Sequence, residues 1–335
     1  MTFLCQAVEL TDQTSVSECR RAAQQIANAI GMDELKSGQA AVIVTEAARN
    51  AVVHGKGGHL LLCGSKPAGE PRLQILALDR GAGIADLHRA MQDGFSTSTT
   101  PGTGLGAIRR LSGTFDIFSG MAGTAVMAEV GDQVLPSAAL LELGGLAVPV
   151  RGERACGDAL DWVYSNDRLA VIAVDGLGHG IHAAEAAEEA VGIFKKYASE
   201  PPGEIVSRIH DALRKTRGAA AAVAEIRPLA GTLLFAGIGN ISAVMISKAL
   251  SRSLVSHSGT LGHIMSRIQE FKIEWPRDAV LVMHSDGLQT RWDLSRYPGL
   301  AARNPAIIAG VLFRDFRRER DDASVLVVKN RNTAV

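Results

Sequence analysis

The sequence predicts an α+β protein of two domains, and three observations carry that reading. The chain has 335 residues, long for one ordinary domain and natural for two. Its pattern resets around "GDQVLPSAALLELGG", which sets a boundary near residue 135 and domains at 1–135 and 140–335. Before that point strands and helices interleave, whereas many strands surround a central helix pair after it.

In the first half, "FLCQAVEL" reads as a strand and "SVSECRRAAQQIANAIG" as a helix, with Ser15 or Ser17 as N-cap and Gly31 as its stop. A second helix, "ELKSGQAAVIVTEAARNAVVHG", ends at Gly55. Strands come next at "GHLLLCGS" and "RLQILALDR", joined by a turn with Pro67 and Gly69. The glycine-rich loop "QDGFSTSTTPGTGLG" leads into a helix "AIRRLS", and the strands "TFDIFSG" and "GTAVMAEV" complete the set. That order predicts an α/β sandwich with helices on one face of a mixed sheet. The second half opens with strands at "GLAVPVRGE" and "LDWVYSNDRLAVIAVD", then a helical pair with Pro201 and Pro202 between its members. Further strands lie at "AAVAEIRPLAGTLLFAGIGNISAVMIS", "RSLVSH", "FKIEWP" and "AVLVMHSDG"; the helix "NPAIIAGVLFRDFRRER" precedes a last strand, "ASVLVVKN". Two packed sheets flanked by helices are expected there.

Composition narrows the function classes. Apolar residues make up 47% and charged residues 21%, a globular balance. Lys+Arg and Asp+Glu each total 35, so charge offers no case for nucleic acid or a membrane surface as partner. The start, "MTFLCQAVELTDQTS", lacks a basic region before an apolar core, so no signal peptide is read and a cytoplasmic location is expected. "VLPSAALLELGGLAVPV" carries Glu142, prolines and glycines, which argues against a membrane span. Cys5, Cys19, Cys63 and Cys156 are far apart in sequence and are read as reduced thiols.

A first constellation lies in "TEAARNAVVHG", where Glu46, Asn50 and His54 recur every four residues and share one helix face. Polar groups on an otherwise apolar helix are costly unless they bind something. In "LDRGAGI" a strand ends in Asp79 and runs into Gly81 and Gly83. "PGTGLG" then supplies Gly102, Gly104 and Gly106 at a helix start, where backbone N–H groups can cradle phosphate. Gly123-Thr124 opens the last strand. Singly, "GTGLG" also fits a flexible loop, Asp79 a turn residue, and His54 a helix-end histidine near the dipole. A dinucleotide fingerprint is disfavoured, because a polar loop rather than a strand precedes the glycines.

In order and spacing these motifs resemble the GHKL ATP-binding fold over roughly residues 1–130, in its anti-sigma-factor and stress-switch serine kinase branch. The resemblance implies ATP as ligand, with Asn50 holding Mg²⁺ on the triphosphate and Asp79 accepting from the adenine amino group. It implies that Gly81 and Gly83 let the base sit close, that Gly102, Gly104 and Gly106 form a short lid, and that Thr124 backs the adenine contact. Glu46 matches the general base for an incoming serine hydroxyl or water. No phosphotransfer-histidine helix is read ahead of this domain, so a two-component histidine kinase is not expected.

A second constellation is acidic. "CGDALDW" (Asp158, Asp161), "VDGLGHG" (Asp175), "HSDGLQ" (Asp286) and "RDDAS" (Asp321, Asp322) each place carboxylates beside glycine or at a strand end. An acid ending a buried strand needs a cation or a hydrogen-bond network. Oxygen donors without cysteine or paired histidines suit Mg²⁺ or Mn²⁺ better than zinc. Singly, each Asp-Gly also fits a tight turn, and "RDDAS" also fits solvated charge. His179 either assists a phosphate or is simply solvated.

The acidic set resembles the metal-dependent PPM serine/threonine phosphatases of the SpoIIE type over roughly residues 140–330, through "GDALD", "DGLGHG", "GTLLFAGIGN", "SHSGTLG", "HSDGL" and "DDAS". The family fold is an α-β-β-α sandwich. The resemblance implies that Asp175 bridges two Mn²⁺ or Mg²⁺ ions with the Gly176 carbonyl as a further ligand. It implies that Asp286 and Asp321 hold one ion and Asp158 acts directly or through water; Asp161 and Asp322 rank lower. Two departures stand out: Cys156 replaces a usual glycine, and "GIGNIS" lacks a histidine found in many members.

Together the resemblances imply a bifunctional partner-switching enzyme that acts on serine of a STAS-domain antagonist. A sigma factor or downstream enzyme is implied as a further partner, and a homodimer through the first domain. The alternatives are a phosphatase regulated by an ATP-sensing N-terminal domain, or an N-terminal module that sequesters a regulator.

Overall fold

Asp12 and Asp33 start the first two helices by accepting hydrogen bonds from free first-turn amides. The Thr14 N–H donates to Asp12 Oδ1 at 2.7 Å and the Lys36 N–H to Asp33 Oδ1 at 2.8 Å. Asp12, not Ser15 or Ser17, is therefore the cap; Ser15 instead closes a capping box with it. In the computed structural model, residues 4–66, 69–91, 104–131, 139–165, 167–265 and 267–331 are described. They cluster into two compact units, the described residues of 3–135 with 293–314 and those of 136–292 with 315–335. Among the described residues no helix is long and apolar enough to cross a membrane.

The first unit contains β1 (Leu4–Leu10), α1 (Gln13–Ala29), α2 (Glu34–Val53), β2 (Gly58–Ser65), β3 (Arg72–Asp79), α3 (Leu87–Ala90), α4 (Gly104–Leu111), β4 (Thr114–Gly120) and β5 (Gly123–Val130). Its sheet runs β1-β2-β3-β5-β4. Every pairing is antiparallel, so the expected mixed sheet is corrected. The two-residue reversal Met121–Ala122 imposes that direction on β4 and β5. Alternate residues Leu60, Leu62, Ile75 and Val126 face the helices and pack with Ile43, Val44, Ala47 and Ala48 of α2. Cys5 and Cys63 are opposite partners of β1 and β2 and are joined as a disulfide. This corrects the reading of four reduced thiols: strand pairing brings together residues that sequence separation hides. Cys19 and Cys156 are free.

The second unit contains β6 (Leu141–Val148), β7 (Asp158–Ser165), β8 (Arg168–Gly176), α5 (Ile181–Tyr197), α6 (Pro202–Ala212), β9 (Ala219–Arg227), β10 (Thr232–Ile238), β11 (Ser242–Ile246), β12 (Ser251–Leu254), β13 (Phe271–Glu274) and β14 (Val280–His284). After β14 come α7 (Pro305–Phe316) and β15 (Ala323–Asn330). Two five-stranded sheets form, β13-β10-β9-β8-β7 and β12-β11-β14-β15-β6. Phe235, Met245, Leu281 and Leu326 join the core cluster shared by strands of the two sheets. Ile172 and Val174, on the other face of β8, pack with Phe194 of α5 and Ile209 of α6. Truncating a side chain as buried as Phe194 to alanine costs about 3–5 kcal/mol. β6 ends before Pro149, which cannot donate to a ladder, so it stops short of the end of the expected "GLAVPVRGE" strand, and it begins earlier, at Leu141.

Most of α7 clusters with the first unit, although it follows the second unit's strands in sequence. A Cβ built on Gly310 would lie 3.0 Å from Leu78 Cδ2, and Phe313 meets His59 edge-on. Leu76 and Leu78 alternate with the helix-facing Ile75 and Ala77, so α7 covers the opposite face of that sheet. Helices on one face only is thus corrected to helices on both.

Candidate functional site

Two apolar runs, Leu169–Val174 in β8 and Val280–Met283 in β14, are buried, and each is followed by a carboxylate, Asp175 and Asp286. One side chain ties these acids together. Asn240, between β10 and β11, donates through Nδ2 to Asp175 Oδ2 at 3.1 Å and to Asp286 Oδ2 at 2.8 Å. Asp158 stands opposite Asp175 in the β7–β8 pairing and accepts from the Ser285 hydroxyl. Asp321 lies within the field of Asp286, which raises its carboxyl after burial does.

The electrostatics of this group are those of crowded like charges. Burial and then the Asp286 charge push Asp175 up to about 7. Burial, then the Asp175 charge, raise Asp158 well above the usual carboxylate range. Among the described residues none of Asp158, Asp175, Asp286 and Asp321 has an ion-pair partner. No three acidic, histidine or cysteine side chains of the described residues yet enclose a single point. Asn240's amide lies between two of the carboxylates and supplies to both the positive hydrogens that a cation would replace. An all-oxygen, uncompensated acidic set of this kind fits hard divalent cations.

The lower-ranked acids have other partners. Asp161 is buried against Lys195 of α5 at 3.0 Å. Asp322 accepts from the Val150 and Gly157 N–H groups, both at 2.6 Å, and so holds the β6–β7 connection. Cys156 packs against the inter-sheet core. His179 Nδ1 lies 2.9 Å from Glu153 Oε1. Gly176 is forced by packing: a Cβ there would lie 2.2 Å from the Ala183 carbonyl oxygen of α5.

In the first unit, Glu46 and Asn50 share a face of α2 and meet the start of α4. A Cβ on Gly104 would lie 2.9 Å from Glu46 Oε2 and 3.3 Å from Asn50 Nδ2. Gly104 opens α4 and Gly106 is buried within it, while Gly102 lies outside the described residues. Asp79 ends β3, and its Oδ1 accepts from the Gly81 N–H at 2.8 Å and the Thr124 N–H at 3.0 Å. Burial raises its carboxyl, and those two donors, then Arg314 and His54, pull it back. Gly81 packs on Asp79 and Gly55, whereas Gly83, at φ +77°, packs on the Gly120 carbonyl. Thr124 is buried, with its hydroxyl 3.1 Å from Ser119 Oγ. His54 caps the C-terminus of α2.

Three further residues that sequence reasoning did not single out serve these sites. Asn240 is a lone amide in "GIGN" where β10 runs out, and Ser285 is the hydroxyl before Asp286. Arg314, buried in α7, donates to the Asp79 carbonyl at 3.0 Å, while Arg80 donates to the Arg314 carbonyl. Nothing in the sequence near Asp79 points to it.

Residues 165–331 match the family model "Stage II sporulation protein E (SpoIIE)", and residues 10–129 match "Histidine kinase-like ATPase domain". The chain joins a SpoIIE-type PPM phosphatase domain to an N-terminal histidine kinase-like ATPase domain. Over 112 residues it is 29% identical to serine/threonine-protein kinase RsbT of Bacillus subtilis, covering 33% of this chain and 84% of RsbT. Over 140 residues it is 25% identical to phosphoserine phosphatase RsbX of the same organism, covering 41% of this chain and 69% of RsbX. Among solved structures, a chain from work on the bacterial stressosome, described as a modular system adapted to control secondary messenger signaling, is 28% identical with a TM-score of 0.53. That match covers 56% of this chain and 99% of the other. RsbX solved in complex with magnesium has the same TM-score of 0.53 at 21% identity, covering 59% of this chain and 99% of that one, and shows the shared fold. Asp175, Asp286 and Asp321 lie within the first matched region, Asp158 just before it, and Glu46, Asn50 and Asp79 within the second.

Proposed function

We propose that the chain is a bifunctional partner-switching regulator. Its phosphatase domain hydrolyses phosphoserine or phosphothreonine on a STAS-type antagonist, and its ATPase domain phosphorylates a serine of the same pathway. The observation that carries the phosphatase half is the Asp175–Asn240–Asp286 bridge, set among unpaired carboxylates at buried strand ends. Asp175, Asp286, Asp321 and the Gly176 carbonyl would hold two Mn²⁺ or Mg²⁺ ions, with Asp158 directly or through water. Such ions supply positive charge for the phosphoryl group and lower the pKa of water. Asn240 orients Asp175 and Asp286, and Ser285 orients Asp158. The substrate's P–O(serine) bond breaks as water's oxygen bonds phosphorus, and the serine leaves with a proton.

In the ATPase domain, Asp79 would accept from the adenine amino group, with Gly81, Gly83 and Thr124 shaping its surroundings. Asn50 would hold Mg²⁺, Gly102, Gly104 and Gly106 would face the phosphates, and Glu46 would take the serine proton. Placement of Glu46 and Asn50 together against Gly104 supports phosphoryl chemistry there. ATP as ligand and a phosphoprotein as substrate support a cytoplasmic location. A sigma factor or downstream enzyme and a homodimeric ATPase domain complete the proposal. The test is incubation with ATP, Mg²⁺ and a STAS-domain protein. Glu46→Ala is expected to abolish phosphate incorporation while ATP still binds. Unchanged incorporation removes the kinase assignment, and stable binding of the STAS protein without turnover favours a sequestering module.

A further inference from the structure

The turn beyond Asp175 is overlain by an arginine that, among the described residues, has no side-chain partner. Gly178 has φ +90°, and a Cβ built there would lie 3.4 Å from Arg217 Nη1, so the guanidinium lies over bare backbone. Backbone bonds hold the Arg217 turn in place. The Leu177 N–H donates to the Gly218 carbonyl at 3.0 Å, and the Gly218 N–H donates to Thr216 Oγ1 at 3.0 Å. His263 Nε2 donates to the Arg217 carbonyl at 2.9 Å. The Arg217 side chain is exposed, and among the described residues its guanidinium has neither a hydrogen bond nor an ion pair. Its neighbours differ: Arg214 pairs with Asp211 at 3.1 Å, and His179 with Glu153 at 2.9 Å.

We propose that Arg217 binds the phosphoryl group of the substrate, gripping two non-bridging oxygens of the phosphomonoester presented to Asp175 and Asp286. The inference rests on the phosphatase reading. Cations held by the carboxylates would neutralise the acidic centre, but oxygens turned away from it need a donor of their own. A planar guanidinium matches two such oxygens at once. Charge spreads over the equatorial oxygens in the transition state, so the contact serves turnover as well as binding. Gly178, without a side chain and at positive φ, keeps that approach open. His179 is engaged by Glu153, whereas the Arg217 guanidinium, among the described residues, is not engaged.

The full chain with Mn²⁺ is assayed on p-nitrophenyl phosphate and a phosphoserine peptide, with inorganic phosphate as inhibitor. Arg217→Ala is expected to lower kcat/KM about 10- to 100-fold and to weaken phosphate inhibition by a similar factor. Arg214→Ala is expected to match the unsubstituted chain, and the Mn²⁺-induced rise in melting temperature is expected to be equal in all three proteins. Equal kcat/KM and equal phosphate inhibition in Arg217→Ala overturn the assignment, as does loss of its Mn²⁺ response. Should Arg217→Ala not fold, Arg217→Gln carries the same expectation and the same overturning result. Absence of turnover by the unsubstituted chain overturns the phosphatase reading instead.

Discussion

Asp79 and Asp175 look alike in sequence, each ending an apolar strand and leading into glycines, yet the fold satisfies them in opposite ways. Asp79 accepts two backbone N–H groups on one oxygen, and Arg314 holds its carbonyl. Asp175 shares one amide with a second carboxylate and feels the charges of Asp286, Asp321 and Asp322. The first is a hydrogen-bond acceptor finished by its own backbone, suited to reading a neutral donor. The second is an unfinished charge, suited to a cation. The groups that folding brings to a strand-end aspartate, rather than its neighbours in the chain, decide its chemistry.

The sharpest way to break this contrast is to remove one acid from each site. Asp175→Ala or Asp286→Ala is expected to lower Mn²⁺-dependent phosphate release roughly 10³-fold, measured on a phosphorylated partner, with ATP binding unchanged. Asp79→Asn keeps an oxygen for the Gly81 and Thr124 N–H groups but alters the acceptor. It is expected to weaken nucleotide binding roughly 10- to 100-fold by calorimetry, with phosphatase turnover intact. Loss of both activities from either change would mean the sites are not chemically separate.

Metal and pH sharpen the same point. Mn²⁺ at a hundredfold excess over its Kd is expected to stabilise the phosphatase domain by about 2.7 kcal/mol, read as a rise in melting temperature that chelator reverses. Without metal, Asp175 holds its proton to about pH 7 in the folded state, against 3.8 for the ordinary group. The native state then binds more protons than the unfolded state between those values, so stability falls as pH rises across that window. Asp175→Asn is expected to flatten this slope in denaturant titrations with chelator, and an unchanged slope would assign it elsewhere. The smallest effect belongs to Arg314→Met, which keeps the buried stem and loses the bond to the Asp79 carbonyl. Nucleotide affinity is expected to drop roughly 2- to 10-fold, and no change would limit Arg314 to packing.

The legible parts of the chain are those where residue type and local spacing suffice. The four-residue period puts Glu46 and Asn50 on one helix face, and the apolar runs before Asp175 and Asp286 read directly as buried strands. Gly31 marks the end of α1, but its start is not where the serines suggest, because Asp12 is the cap and Ser15, three residues on, closes the capping box with it. Asn240 sits in "GIGN" with no local sign that it bridges two carboxylates. Only packing shows that the missing Cβ of Gly176 makes room for the Ala183 carbonyl of α5.

The sequence by itself determined the two-domain α+β character, the helix-face and acidic constellations, and the oxygen-donor chemistry, because each depends on residue identity over a few positions. Only the tertiary structure decided the Cys5–Cys63 bond, the seating of most of α7 on the first unit, and the partners of Asn240, Arg217 and Arg314. Each of these joins residues distant in the chain. Strand pairing and helix docking set such meetings through the packing of whole faces, and no local period or motif encodes which distant side chain will arrive.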